Sequence, residues 1–373
     1  MKYLTPAILL LAFTTNLFSQ STNDILNLLI TDKAITQEQA DSIRAEAALA
    51  QQQSDAARKS FFTTASRQMQ LTGYTQLRYQ SFEEAGKKSG FDIRRARLDL
   101  KGSITPYFSY RVQADLAGSP KLIDGYGEIK LADYFTITAG QFKIPFSLEN
   151  LASSNKLESI DRAQVVEALV ARSKDVTGNQ NGRDIGVQIS GTFLKIKDLP
   201  LFEYRIGVFN GSGINVADTA NSAKDVVVRL ITTPVKGLSF GGSYYNGWDK
   251  AIKPDVAGKS QTRNRLGFEA AYVTDRLSLK GEYISGKDGK TSREGWYVQA
   301  GYFVIAKKLQ VLGKYDVYDP NTSKTDNIST NYIAGASYLF NSWSRLQAFY
   351  TISTEEGTAV KDNYLSVQYQ IGF

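Results

Sequence analysis

The residues with the most chemistry in this chain are arginines and lysines spaced two apart. Arg95, Arg97 and Lys101 share one phase of the stretch FDIRRARLDLKG, and Arg78, Arg111 and Lys130 fall on the matching phase of neighbouring alternating stretches. A guanidinium fork holds a phosphate-like oxyanion through two parallel hydrogen bonds, so such a row offers stepping sites for an anion. The same spacing has a second reading. Asp99, Asp115 and Glu128 share the face, and acids paired with bases across neighbouring strands would simply hold a wall together. Both readings stand at this point. A further set, Lys143, Lys156 and Arg162, lies in a stretch that does not alternate. At a narrow point those charges would act with little screening. Alternatively, Lys143 would tie to Glu149 and Arg162 to Glu158 as structural pairs.

The chain has no His and no Cys. Their absence removes the usual general base and the thiolate nucleophile, and with them Ser-His and Cys-His catalysis. No cofactor is implied. The basic residues are dispersed at strand spacing with no clustered element, which disfavours nucleic acid as a partner. The formal net charge of +7 favours anionic partners in general.

From Gln70 onward apolar and polar residues alternate, the period of a strand with one wet face and one apolar face. The reading gives strands near 70–80, 90–103, 107–117, 124–132, 134–142, 183–194, 201–210 and 223–233. Eight more follow near 237–249, 262–273, 277–286, 294–305, 308–319, 327–340, 343–354 and 361–373. Sixteen is an even number, and short turns interleave with longer polar loops, as a bacterial barrel requires. The fold class expected is therefore all-β: a sixteen-stranded antiparallel transmembrane β-barrel with a short N-terminal helical segment. In the last strand Leu365, Val367, Tyr369, Ile371 and Phe373 make an unbroken outward row, and this strand must pair with the first to leave no edge in hydrocarbon. Phe108, Phe135, Phe193, Phe202, Tyr338, Phe340 and Trp343, near the short turns, are placed for an interfacial girdle.

Three regions fall outside that pattern. Residues 1–20 read as a secretory signal peptide, with Lys2 ahead of an apolar core too short to span a membrane. Residues 21–65 read as a periplasmic helical segment, where Thr36 and Gln39 form a capping box. Within the barrel, 66–373, the connection at about 143–182 is far longer than an ordinary strand connection. Its Pro145, Phe146, Leu148, Leu151, Leu157 and Ile160 would be costly to leave in water, so the expectation is a loop folded into the barrel mouth.

The run GQFKIPFSLENLASSNKL from Gly140, the Asp161-Arg162 pair, GRDIGVQISG at 182–191 and FDIRRARLDLKG at 91–102 resemble the signature of the phosphate-selective porin O and P family, over roughly residues 70–373. The resemblance implies a sixteen-stranded outer-membrane barrel of a Gram-negative bacterium, often trimeric, that passes anions. The expected function is passive diffusion of small anions, phosphate included, with outer-membrane lipid, the assembly machinery that reads a terminal Phe, and two further copies of the chain as partners. A general diffusion porin with little anion selectivity and a non-conducting scaffold or adhesin are the alternatives.

Overall fold

The computed structural model describes residues 62–64, 67–196, 199–217, 223–249, 261–358 and 362–373, together with scattered positions between Asn27 and Ile43. The expected signal peptide and most of the expected helical segment lie outside the described residues. At Thr36 the capping box is present: its N–H donates to Gln39 Oε1 at 2.9 Å, and the Gln39 N–H donates back to its hydroxyl at 3.2 Å.

A short strand β1 (Phe62–Thr64) folds back on β2 (Arg67–Phe82). The wall continues through β3 (Gly90–Ser103), β4 (Phe108–Asp115), β5 (Lys121–Ala132), β6 (Phe135–Lys143), β7 (Arg183–Ile196), β8 (Leu199–Phe209) and β9 (Asp225–Val235). It is completed by β10 (Leu238–Asp249), β11 (Gln261–Val273), β12 (Leu277–Asp288), β13 (Thr291–Ile305) and β14 (Leu309–Asp319). The last three strands are β15 (Ser329–Leu339), β16 (Arg345–Glu355) and β17 (Tyr364–Gly372). Each strand from β2 to β17 pairs antiparallel with its sequence neighbour, and β17 pairs with β2. The seam is closed to its last residue: Phe373 and Gly73 exchange N–H to carbonyl hydrogen bonds at 3.0 and 3.1 Å. Gly73 is needed there, since a Cβ at that position would lie 2.6 Å from the Phe373 ring.

The distribution of polarity is inverted relative to a water-soluble protein. Along β17 the outward Leu365, Tyr369, Ile371 and Phe373 are 37 to 64% exposed, whereas the inward Ser366, Gln368 and Gln370 are no more than 2% exposed. Gln76, Gln347 and Asp316 are likewise fully buried, while valines, leucines and aromatics cover the outside. Such a surface is stable only against hydrocarbon. At the short-turn end Phe193 stacks on Phe202 at 5.4 Å, and Phe340 lies between Tyr338 and Tyr369 at 5.1 and 6.2 Å, part of the expected girdle.

All sixteen expected strands are present, but alternation does not hold throughout. In the β2–β3 ladder Gln76 faces Arg95 and Leu77 faces Ile93, so Arg94 is an extra residue in a β-bulge. Before the bulge Asp92 points inward and Ile93 outward; after it Arg95 points inward, with Arg94 on the same side. A second bulge tucks Ile123 beside Asp124, between Gln113↔Asp124 and Ala114↔Leu122.

Lipid-facing placement has a cost that can be measured. Val298 sits outward near the middle of β13 and is 51% exposed. Val298→Arg is expected to destabilise the barrel by roughly 2–4 kcal/mol, as a cation does at the bilayer midplane. Reversible urea unfolding from liposomes reads that loss, and equal midpoints for variant and wild type would contradict the assigned face.

Candidate functional site

The connection between β6 and β7 turns into the barrel as anticipated. It carries helix α1 (Leu148–Leu151), a 3-10 turn at Ser154–Lys156 and helix α2 (Gln164–Leu169). Its apolar residues explain part of its position. Phe146, Val165, Val166 and Leu169 are buried against Phe209, Val227 and Ile284 of the wall. Gly295 on β13 makes room for α2, because a Cβ there would stand 2.8 Å from Val165 Cβ.

Polar ties to the wall complete the docking. Glu282 of β12 accepts from the backbone N–H groups of Leu148 and Glu149 at 2.9 and 2.7 Å, and Asp316 of β14 accepts from that of Gln164 at 2.9 Å. Each carboxylate thus satisfies donors that a helix start leaves free. Lys314 donates to Glu149 at 2.7 Å, Arg263 of β11 holds Asp175 at 2.9 Å, and Arg94 of β3 holds Asp161 at 2.5 Å. The turn after the 3-10 segment is fastened by Glu158, which accepts from Lys280, Ser278, Gln299 and Gln310, while Gln347 donates to its carbonyl. The polar ties of the loop thus run mainly to β11–β16, with a further one to β3. A cavity of about 320 Å³ remains beside it, bordered by Lys156, Glu158, Glu203, Arg205, Arg229 and Lys280, among others.

This geometry sorts the residues singled out from the sequence. Arg78 grips Asp92 in a two-point pair at 3.0 and 2.7 Å, and Arg111 grips Asp99 in the same way at 2.8 Å for both contacts. Arg97 holds Asp115 at 2.9 Å. These three are wall ties, as the second reading of the row has it. Lys130 reaches the short-turn rim, where it and Lys195 flank Asp133 at 2.9 and 2.6 Å; hydrogen bonds from Lys195 and Lys130 hold that carboxyl down at about 2. Arg95 differs: it donates to the Gln76 amide oxygen at 2.9 Å, with no carboxylate against it among the described residues. Lys101 and Lys156 are exposed and, among the described residues, face no carboxylate at ion-pair distance.

Two expected pairs in the loop are not formed. Lys143 donates to the Leu151 and Ala152 carbonyls at 2.9 and 2.8 Å, because Glu149 is taken by Lys314. Arg162 donates to the carbonyls of Glu149 and Ala152 and lies against Ser154, because Glu158 is taken by Lys280 and neighbouring donors of β12–β14. Both cations are inward staples of the loop. Arg94 went unrecognised in the sequence, where strict alternation puts it on the lipid face; the doubled arginine at Arg94-Arg95 is the signal that a bulge could turn both inward.

Glu158 is the fastening most open to test. Burial alone would raise its carboxyl, but Lys280 and the surrounding donors outweigh that and hold it below its ordinary 4.5. With the folded value depressed, its contribution to docking is present above about pH 4.5 and is lost as pH falls through the folded value. Glu158→Ala removes the acceptor at every pH, a loss on the order of 1–3 kcal/mol for hydrogen bonds to a charged group. The expected result in planar bilayers is larger and noisier single-channel current for the variant at pH 7, approached by wild type only in acid. Quiet channels of unaltered conductance would show that the loop is held without this carboxylate.

The phosphate-selective porin O and P family model matches residues 67–370. A search of curated protein sequences finds no significant match. Among solved structures, the chain is similar to an anion-selective porin from Comamonas acidovorans, with 14% identity over 82% of this chain and 100% of that one and a TM-score of 0.61. It is similar to the outer membrane channel DcaP of Acinetobacter baumannii, with 15% identity, coverage of 84% and 99%, and a TM-score of 0.58. It is also similar to outer-membrane expressed OmpT of Vibrio cholerae, with 12% identity, coverage of 84% and 99%, and a TM-score of 0.59. At such identities the likeness concerns the fold. Because the family match runs almost the whole length of the closed barrel, the chain belongs to the phosphate-selective porin O and P family.

Proposed function

We propose that this outer-membrane porin lets small anions, phosphate among them, diffuse passively through the gap beside its docked loop. The observation that carries the reading is Lys156. It stands exposed at the tip of the 3-10 turn, on the border of the 320 Å³ cavity. The carboxylates around that cavity are already engaged: Glu203 by Arg205, Glu158 by Lys280, Glu149 by Lys314, and Glu269 behind them by Arg229. Among the described residues bordering the cavity, Lys156 is the positive charge left over. A unit charge 4 Å from a passing anion is worth about 1 kcal/mol in bulk water and about 4 kcal/mol near a protein surface. A closed pair such as Arg111–Asp99 exerts far less, since its two fields largely cancel.

The extent of pairing favours a second reading, that of a general diffusion porin with a mild anion preference. Arg78, Arg97 and Arg111 spend their charge on acids of the wall, so the continuous basic track is reduced to Arg95, Lys101 and Lys156. A charged gap beside the loop supports a channel over a non-conducting scaffold, and family membership supports a channel over an enzyme. The homotrimer belongs to the same proposal, supported by a structural neighbour, OmpT of Vibrio cholerae, recorded in a trimer form.

Reversal potentials across a KCl gradient test the reading. Wild type is expected to favour chloride, and Lys156→Gln to lower the anion-to-cation permeability ratio by about twofold or more, the effect of removing roughly half a kcal/mol at the constriction. Arg111→Gln should leave that ratio nearly unchanged while weakening the wall. A cation-leaning wild type would overturn the proposal.

A further inference from the structure

On the short-turn side of the loop, β2, β16 and β17 carry a set of polar groups left unmatched among the described residues. Arg345 opens β16 immediately after the short turn and pairs in register with Gln370 of β17, which pairs in turn with Gln76 of β2. Two residues along β2, Tyr74 faces Gly372. The Gln370 side chain spans the floor, donating to the carbonyls of Trp343 and Asn155 at 3.1 and 3.3 Å and accepting from Gln76 at 2.8 Å. The 3-10 turn at Asn155 is thereby held over the site as a roof.

Here the Nε and Nη2 atoms of Arg345 are buried and have no hydrogen-bond partner among the described residues. The same is true of the Tyr74 hydroxyl, on a residue only 6% exposed. The tyrosine and Arg345 lie near enough to act on each other electrostatically, and the Arg97 guanidinium stands 5.9 Å from the tyrosine ring. Glu158, which acts on Arg345 electrostatically, is turned toward Lys280 and the donors around it. Buried donors without acceptors are costly, and more so on a charged group. Nε and Nη2 form the edge of the guanidinium that meets two oxygens of one oxyanion, and a hydroxyl nearby can supply a third donor.

We propose that Arg345 and Tyr74 form a second oxyanion subsite on the short-turn side of the constriction, a resting place for phosphate-type anions after they pass the loop. The proposal rests on the anion-porin reading and extends it to a site that the arginine row of β3 does not include. Phosphate held there obstructs the exit, so inorganic phosphate added on the short-turn side blocks chloride current more effectively than phosphate added on the long-loop side.

The test uses the full-length protein inserted in one orientation in planar bilayers, with inorganic phosphate titrated into KCl from each side in turn. For Arg345→Gln the half-blocking concentration from the short-turn side is expected to rise about tenfold, with block from the long-loop side changed far less. Tyr74→Phe keeps the ring and loses one donor, so a rise of two- to threefold is expected; it also carries the test if Arg345→Gln does not insert. Unaltered short-turn block in both variants, with wild type still blocked, would overturn the subsite and leave the anion reading standing. Absence of phosphate block in wild type from either side would overturn both.

Discussion

Hydrocarbon offers no hydrogen bonds, and that constraint governs the rest of the molecule. Every strand crossing it must spend its backbone N–H and C=O groups on neighbouring strands, and the last strand must find the first. The exchange between Phe373 and Gly73 completes that ring at its final residue. Once the sheet closes, one face of every strand is committed to lipid and the other to the lumen. Lumenal side chains can then be polar to a degree that a soluble core would not tolerate, provided they are matched. Gln76, Gln347, Gln368 and Gln370 illustrate the matching: the last three are linked to loop carbonyls or to one another, and Gln76 reaches Gln370.

A sixteen-stranded barrel is wider than its side chains can fill. The β6–β7 loop fills much of the difference, and the way it is fixed is mixed. Apolar residues of α2 supply burial that is indifferent to direction, whereas the carboxylates Glu282, Asp316 and Glu158 and the arginines Arg94 and Arg263 supply direction. Two wall carboxylates reach backbone N–H groups at the starts of α1 and α2, so the short helices are set in place by their own unpaired donors. Neither helix is long enough to persist alone. The passage left beside the loop is defined as much by these fastenings as by the barrel.

Charge in the lumen is consequently divided between holding and attracting. Arg78, Arg97, Arg111, Arg229 and Arg263 each sit against a carboxylate, whereas Arg95, Lys101, Lys156 and Arg345 meet none at ion-pair distance among the described residues. A net charge of +7 is too coarse a measure to reveal this division.

Much of the architecture was legible in the order of residues. A period of two, turn residues at regular intervals and a last strand with an unbroken apolar row specify strand count, closure and the outward face, because those follow from local geometry and from the surrounding medium. The length and apolar content of the β6–β7 connection likewise announced a loop folded inward. The sequence could not decide which acid each base would meet. Lys143 and Arg162 had plausible carboxylates a few residues away, yet tertiary packing delivered Glu149 to Lys314 and Glu158 to Lys280, strands distant in the chain, and left the two cations to backbone carbonyls. Nor could it place Arg94, since one extra residue in a ladder reverses the facing of all that precede it. Pairing and phase depend on register and on which wall a loop touches, and these exist only once the barrel has closed.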